Sequence, residues 1–476
     1  MAAAWSTGGN DNRGGVLKPT IGLFSLFALF LIGAGLYDPA VYVLGTYFNR
    51  PGNAVPLPDR PPPHNQAGAR QQDLADLGLL LKYDRSFSGP DAYAFRRGIE
   101  NLTEAAGGMS DAAFEMAVSR LVALAGNAHT TVHKKQRASR FGRAPVRFAW
   151  FAEGLYIVRA TGPAERLIGR RVVAIDGRPV ERALADLRPY LSGTAERARD
   201  DSPPLLDSPP LLQAVWPDTD GEHLAFGLDD GTTEQFAMLP PMTDPFGLRP
   251  IMAIAPGGYG PDWKAVLTEY PLSLREPDRV AFSAPLDAGG IYVRINASQD
   301  DARGPLADQL AAIAATKPPG GWRRMILDLR FNDGGDERKT VDFTRALPEL
   351  LGDKGNLWIL TGNATFSAAI ITAARAKHFL TYRAHIVGEA VGDHEPFWTD
   401  GGPPLILRNA RIAVGHAYFK QDWAKGCYDP SECNPLQFLY GVAAGDLTPE
   451  VQVGWSFADY AAGRDTVLEK ALALAR

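Results

Sequence analysis

The first feature of the apolar pattern is an uncharged run near the N-terminus, from Pro19 to Tyr37. Such a run is long enough to cross a hydrocarbon core of about 30 Å as a helix. Basic residues precede it and an acidic residue follows it. This asymmetry predicts a cytoplasmic N-terminus (1–18), a transmembrane anchor (19–37), and the bulk of the chain outside the cytoplasm. A cleaved signal peptide is the alternative, because a charged n-region and an apolar h-region are both present.

A proline-rich segment and a helical segment follow. Residues 38–71 contain many prolines and lack apolar periodicity, which predicts a semi-extended linker. In residues 72–135 apolar positions recur at helical spacing, which predicts a helical subdomain. Asp111 stands where an N-cap is expected. The two apolar stripes are Leu74, Leu77, Leu80 and Leu81, and Phe114, Val118, Leu121 and Leu124.

The pattern then changes to short β-rich runs. GLYIVRA (154–160) and RRVVAIDG (170–177) predict two strands, the second ending in an Asp-Gly turn, and a polar helix follows at 181–190. This order predicts a PDZ-like module over 140–200, a type of module that binds peptide strands by edge addition. Residues 201–284 predict an irregular, β-rich connecting region.

Residues 285–476 alternate between strands and helices, which predicts an α/β core. The continuous apolar run MILDL (325–329) is typical of a strand covered by helices on both faces of a sheet. Near the C-terminus, Thr466 and Glu469 have the spacing of a capping box. The other predicted strands are 291–295, 356–360 and 385–388, and the predicted helices begin near 306 and 367.

Composition excludes some partners. The 476 residues carry a formal net charge of −5, which gives no basic face for nucleic acid. Cys427 and Cys433 are the only cysteines. Outside the cytoplasm their proximity predicts a local disulfide, with two free thiols as the alternative. No histidine or cysteine spacing indicates a metal site, and no cofactor is predicted.

Two segments at strand ends carry candidate chemistry. ILDLRFNDGGD (326–336) leads from a strand into Gly334 and Gly335, whose backbone N–H groups could approach a ligand as oxyanion donors. An ordinary β-to-α turn would have the same sequence. In LWILTGNATFSAAIITAARAK (357–377), Ser367 opens a helix. A serine there is a common helix cap, and the same position suits a nucleophile beside free amides.

In combination these two segments resemble the S41 family of tail-specific and tricorn-like serine proteases. The resemblance implies a ClpP/crotonase-like catalytic core with Ser367 as nucleophile. It also implies an oxyanion hole formed by the Ala368 amide and the Gly334–Gly335 loop. Further matching segments are LAGNAHTTV (124–132), the PDZ-like region, HIVGEAVG (385–392) and LTPEVQV…DYAAGRDTVLEKAL (447–472).

The resemblance also bears on the general base. Part of the family uses a lysine after the VGE turn, but here that stretch reads VGEAVGDHEP and contains none. The tricorn-like pattern implies His129 instead, since imidazole can accept a hydroxyl proton at neutral pH. His394 is the rival base. Structural roles are predicted for His378, His385 and His416. The acidic partner stays open, because Asp429, Glu432 and Asp446 do not align with the family pattern.

The sequence thus predicts a serine peptidase that hydrolyses peptides or unfolded proteins outside the cytoplasm. Two alternatives remain. One is a catalytically weak relative that binds peptides as a scaffold. The other is crotonase-type acyl chemistry on the same fold, against which the predicted export counts, because coenzyme A is cytoplasmic.

Overall fold

A computed structural model describes residues 54–475, except for 135–136, 243–249, 258–259, 261, 435–436 and 438–439. The predicted anchor at 19–37 lies outside the described residues. Within the described ranges, none of the helices combines the length and the apolar character needed to cross a membrane.

The helical subdomain packs around a core that includes Leu74, Phe95 and Phe114, all nearly inaccessible to solvent. Its first helix begins at Gln66, so the predicted linker boundary at 71 was wrong. The reason is local, because Asn65 caps this helix by accepting a hydrogen bond from the Gly68 amide. The helices are α1 (Gln66–Leu77), α2 (Leu80–Tyr83), α3 (Gly89–Ala105) and α4 (Asp111–Val122).

Ser110, and not the predicted Asp111, is the N-cap of α4. The Ser110 hydroxyl accepts from the Ala113 amide at 3.1 Å, and Asp111 occupies the first helical position. A carboxylate there still interacts favourably with the positive end of the helix dipole.

A seven-stranded antiparallel sheet forms the β-rich module. Its edge strand β1 pairs with β2, and β2 pairs with β3 and β7. The strands are β1 (Val146–Phe151), β2 (Gly154–Thr161), β3 (Arg171–Ile175), β4 (Arg178–Pro179), β5 (His223–Leu228), β6 (Thr233–Ala237) and β7 (Trp263–Ala265). The module's helices are α5 (Val180–Leu187), α6 (Ala195–Asp201), α7 (Pro203–Leu206), α8 (Pro209–Gln213) and α9 (Pro250–Ile254).

The predicted boundary at 200 was therefore wrong. Residues 201–284 are not a separate connecting region, because β5, β6 and β7 belong to the same sheet as β1–β4. The pairing of Val172 with Leu228 joins positions far apart in sequence. Local apolar patterns find such strands but not their partners.

A six-stranded sheet in the order β17-β12-β11-β10-β9-β8 forms the α/β core. All neighbours are parallel except β8 and β9. The strands are β8 (Ala281–Leu286), β9 (Gly290–Ile295), β10 (Arg324–Asp328), β11 (Asn356–Thr361), β12 (Ala384–Gly388) and β17 (Val451–Gln452). Two antiparallel two-stranded sheets pair β13 (Phe397–Asp400) with β16 (Ala417–Gln421) and β14 (Leu405–Leu407) with β15 (Ile412–Val414).

Helices cover both faces of this sheet, as the buried run in β10 predicts. One face packs against α10 (Leu306–Ala314), α11 (Val341–Leu351) and α12 (Ala368–Leu380). The other packs against the β-rich module and the C-terminal helices α13 (Phe457–Ala461) and α14 (Thr466–Leu474). The cap of α14 is Asp465, which accepts from the Leu468 amide, so the predicted capping box at Thr466 was one residue late. The mixed α/β class is confirmed.

Parallel pairing brings the ends of β10, β11 and β12 to one edge of the core sheet. Asp328 is level with Leu360, and Thr361 is level with Gly388. The segments that follow these strands contain the Gly334–Gly335 loop, Ser367, and the stretch VGEAVGDHEP. This edge is where an α/β sheet places its site.

Candidate active site

Ser367 is the residue that precedes α12, at the N-cap position, but its side chain does not act as a cap. Its backbone has φ 54° and ψ −121°, a left-handed conformation that is costly for a residue with a side chain. The hydroxyl is partly exposed at the strand-to-helix turn. A strained turn that presents a serine hydroxyl at the top of a sheet is the geometry of a nucleophile elbow.

Gly334 passes directly against this serine, and Gly335 packs against the Ser298 backbone. Their φ angles are +100° and +131°. A Cβ added to Gly334 would lie 2.7 Å from the Ser367 Cβ, and one added to Gly335 would lie 2.3 Å from the Ser298 carbonyl oxygen. Only glycine therefore fits either position without a shift of the backbone.

The backbone donors around Ser367 are not equivalent. The Gly334 N–H donates to Asn332 Oδ1 at 2.9 Å, which removes it as a free donor. The N–H groups of Gly335 and Ala368 have no acceptor within the part of the chain that the structure describes. Of the three residues predicted for the oxyanion hole, Gly335 and Ala368 can thus serve as donors, and Gly334 makes the space.

Hydrogen bonds hold the two turns in register. The Phe366 N–H donates to the Asn332 carbonyl at 3.0 Å, and the Thr365 hydroxyl donates to the Leu329 carbonyl at 2.9 Å. Further along α12, the buried Arg375 donates to both the backbone and the carboxylate of Glu337. The position of Ser367 relative to the glycine loop is therefore fixed by bonds on both sides of the serine.

His129 lies beside the serine turn, between two aromatic rings. Its ring centroid is 4.3 Å from that of Phe366, the residue before Ser367, and 5.5 Å from that of Phe397. The side chain is 14% exposed, and neither ring nitrogen has a hydrogen-bond partner among the described residues. No hydrogen bond between His129 and Ser367 is formed there. Catalytic hydrogen bonds are often loose in the absence of substrate.

Asp393 is the acid nearest to His129, and sequence reasoning missed it. Its Oδ2 lies 3.3 Å from His129 Nδ1, and its side chain is completely buried. This Oδ2 makes no aligned hydrogen bond in the described structure, while Oδ1 accepts the His394 N–H at 2.9 Å. Asp393 stands in VGEAVGDHEP, the stretch that contains no lysine. A carboxylate in that position was the available signal.

The acids considered from sequence lie elsewhere. Asp429 accepts from the Ser431 amide and hydroxyl, Asp446 accepts from the Thr448 amide, and Glu432 is 3.7 Å from Lys420. None of them pairs with His129. Asp400 is the other acid whose charge acts on His129, and it accepts hydrogen bonds from Asn434 and Gln421.

The remaining histidines have other surroundings. His394 is exposed, and only its backbone is bonded to Asp393. His385 Nδ1 lies 2.9 Å from a Glu450 carboxylate oxygen, and His378 Nδ1 lies 3.1 Å from the Ala443 carbonyl. His416 is buried, and burial lowers its pKa. Among the described residues, no group of three or more His, Cys, Asp or Glu is placed to hold a metal ion.

The segment that carries His129 is held by other parts of the chain. Asn127 Oδ1 accepts the Trp398 N–H at 3.1 Å, and the Thr130 hydroxyl donates to Asp84 at 2.6 Å. The Gly415 N–H donates to the Thr131 carbonyl at 2.8 Å. The histidine therefore reaches the serine turn through contacts from the helical subdomain and from the β13–β16 region.

Near this region Cys427 and Cys433 form a disulfide, with their Cα atoms 5.6 Å apart. Both sulfur-bearing residues are buried. The bond closes the loop that follows β16.

Comparison with known proteins places the fold. No protein-family model matches the chain, and no curated protein matches its sequence significantly. Among solved structures, mature CPAF complexed with lactacystin is 13% identical, with a TM-score of 0.52 over 86% of this chain and 98% of that one. The chain shares its fold with S41 peptidases.

Two other solved structures have lower TM-scores. The photosystem II D1 C-terminal processing protease is 14% identical over 81% of this chain and 93% of its own, with a TM-score of 0.36. The tricorn protease is 13% identical over 86% of this chain and 37% of its own, with a TM-score of 0.38. The CPAF structure confirms, at the level of the fold, the resemblance to S41 peptidases that the motifs predict.

Proposed function

We propose that this protein is a serine peptidase that hydrolyses peptide bonds in peptides or unfolded proteins. The observation that carries the proposal is the conformation of Ser367, which is strained, uncapped and packed against a loop that only glycine can form. A helix cap needs none of these features. The shared fold supports the same reaction class.

The mechanism follows from the atoms around the serine. His129 accepts the proton of the Ser367 hydroxyl as its oxygen attacks the scissile carbonyl carbon. The oxyanion accepts hydrogen bonds from the Gly335 and Ala368 amides, which have no other acceptor in the described structure. His129 then gives its proton to the leaving amine, and water attacks the acyl-enzyme by the reverse proton path.

Asp393 is a positioning residue in this proposal. His129 Nδ1 lies 3.3 Å from Asp393 Oδ2, so a proton on Nδ1 faces the carboxylate. Nε2 is then left to exchange the serine proton. The buried carboxylate also stabilises the imidazolium formed during attack. The rings of Phe366 and Phe397 stack on the imidazole and oppose its rotation about the Cβ–Cγ bond.

The compartment is proposed on separate grounds. A disulfide is typical of an oxidising space, and Cys427 and Cys433 are bonded to each other. The apolar run from Pro19 to Tyr37 would supply a membrane anchor with the catalytic part outside the cytoplasm.

A fluorophosphonate probe tests the proposal because it labels activated serines. The wild-type chain is expected to be labelled, and Ser367→Ala is expected to lose all labelling. His129→Ala should reduce the labelling rate by about 10²–10⁴-fold. His394→Ala is the matched control, since this histidine is exposed, and it should label like the wild type.

A second candidate function is peptide binding without turnover. It is favoured by one observation, the absence of a Ser367–His129 hydrogen bond among the described residues. Folded wild-type protein that resists the probe, yet binds unfolded peptides, would support this role and contradict the peptidase.

A further inference from the structure

A cavity of about 270 Å³ lies between the β-rich module and the core sheet. Its floor includes Gly362, Asn363 and Ala364, which belong to the turn that leads to Ser367. Strand β1 contributes one wall. The cavity therefore opens at the same sheet edge as the candidate nucleophile, a few residues along the chain from it.

Most of the cavity surface is apolar and aromatic. The side chains that form it come from both the module and the core, so the space exists only where the two pack together. The aromatic residues are Phe141, Phe148, Trp150, Phe151, Phe331 and Trp455. Such walls can cover the aliphatic stem or the ring of a ligand.

The cations on the cavity wall already have carboxylate partners, with one exception. Arg143 and Arg147 pair with the buried Asp207. The other paired cations are Lys134 with Asp201, Arg137 with Glu115, and Arg330 with Asp328 and Asp465. Each of these charges is therefore compensated by the protein itself.

Arg199 is the exception. Its guanidinium lies 4.4 Å from the centre of the Trp150 ring and donates to the Phe151 carbonyl at 3.3 Å. No carboxylate forms an ion pair with it in the described structure. Arg199 is therefore the cation of the cavity wall that could pair with a cavity carboxylate in place of a ligand.

Glu389 is such an acid. It lines the cavity and is accessible from it, and among the described residues no group donates a hydrogen bond to its carboxylate or forms an ion pair with it. Burial raises the pKa of Glu389, and the nearby Arg199 and Arg330 oppose this rise. Glu389 is thus an exposed carboxylate at an aromatic-lined cavity, and without an ion pair from the described residues it can pair with the cation of a bound ligand.

We propose that this cavity is a specificity subsite that binds a basic side chain, lysine or arginine, of the peptide substrate. The aromatic walls would cover the aliphatic stem, and Glu389 would pair with the charged end. The assignment rests on the peptidase function for its role, but the binding itself does not depend on catalysis. Protonation of Glu389 at low pH would weaken the pairing.

Benzamidine, an aromatic ring that carries a cation, tests binding apart from catalysis. It should raise the unfolding temperature of both the full wild-type chain and Ser367→Ala. It should have no effect on Glu389→Gln, which keeps the shape and removes the charge. Glu432→Gln, at a half-buried site where Glu432 lies 3.7 Å from Lys420, is the matched control and should respond like the wild type. Equal stabilisation of Glu389→Gln, or none of the wild type, would overturn the subsite.

Peptide libraries test the role in specificity. With fluorogenic peptides that differ at one position, the wild type should prefer lysine or arginine over norleucine. Glu389→Gln should lower the ratio of kcat/KM for the basic peptides to that for the norleucine peptides by about 10–100-fold. A wild type that is labelled by the fluorophosphonate but shows no basic preference would overturn the subsite and leave the peptidase intact. If the chain is not labelled but still binds benzamidine through Glu389, the peptidase is overturned and the binding site for a basic group stands.

Discussion

The turns that follow β10 and β12 lie at the same edge of the core sheet but differ in their polar contacts. After β10, Arg330 is bonded to two buried aspartates, and the Asn332 side chain accepts the Gly334 amide. After β12, the buried oxygens Asp393 Oδ2 and Glu395 Oε1 lack hydrogen-bond partners among the described residues, and the Glu389 carboxylate is exposed. The polar side chains of the β10 turn have hydrogen-bond partners within the protein, and two buried carboxylate oxygens of the β12 turn do not.

In the proposed function, the β10 turn holds the glycine loop in place, and the β12 turn carries the residues that react or bind. Buried polar groups are normally hydrogen-bonded, so the unsatisfied oxygens of Asp393 and Glu395 indicate a functional site or a cost that function explains. The β10 turn fixes Gly334 and Gly335 against Ser367. The β12 turn presents Asp393 to His129 and Glu389 to the cavity. Variants in each turn should therefore fail in different ways.

The largest effect is expected for Gly334→Ala in the β10 turn. The new Cβ would lie 2.7 Å from the Ser367 Cβ at a φ of +100°, so the serine or the loop must move. Displacement of the nucleophile from its donors should slow fluorophosphonate labelling by about 10³-fold or more.

Gly320→Ala is the matched control for that variant. Gly320 also has a positive φ, +83°, but a Cβ there meets no atom within 4 Å. It should lose about 1 kcal/mol of stability from backbone strain and keep the wild-type labelling rate. Wild-type labelling by folded Gly334→Ala would contradict the role of the loop as a frame.

A smaller effect is expected for Asp393→Asn in the β12 turn. The amide keeps the shape but can favour the wrong tautomer of His129, and it no longer stabilises the imidazolium. We expect kcat/KM to fall by about 10²–10⁴-fold at neutral pH. The pH profile should also shift, which loss of a purely structural contact would not cause.

Asp400→Asn distinguishes Asp393 from the second acid near His129. Asp400 accepts from Asn434 and Gln421, which indicates a structural role for its carboxylate. Its variant should lose stability but keep activity within about 10-fold. If Asp400→Asn instead showed the greater loss of activity at equal folding, the positioning role would belong to Asp400.

The two turns also show how far the sequence could predict the site. The β10 turn was recognisable, because Asn, Asp and two glycines directly after a buried strand favour a turn, and this preference depends only on neighbouring residues. Ser367 was recognisable as a position, but not as a strained, uncapped residue, since its φ of 54° depends on the Asn332 and Leu329 carbonyls that hold the turn. The strand and helix positions followed from periodicity for the same local reason.

The role of Asp393 could not be predicted in that way. It lies beside a histidine that is more than two hundred residues earlier in the chain, and Asn127 and Thr130 hold that segment by hydrogen bonds to other parts of the chain. The extent of the seven-stranded sheet was missed for a similar reason, since β5 and β7 pair with strands far away in sequence. Contacts that depend on the global fold leave no local pattern.

The smallest effect concerns stability and is expected for Glu395→Gln. Burial, with added repulsion from Asp422 and Asp393, raises the pKa of Glu395 from 4.5 to about 8. The folded chain therefore keeps a proton that the unfolded chain releases, so stability should fall as the pH rises from about 5 to about 8. Glutamine does not titrate, and this part of the pH dependence should disappear. Thermal unfolding should show the variant more stable by about 1–3 kcal/mol at pH 8 and nearly equal at pH 5. Parallel profiles for the two proteins would mean that Glu395 is already ionised at neutral pH, and the contrast between the two turns would then rest on Glu389 and Asp393 alone.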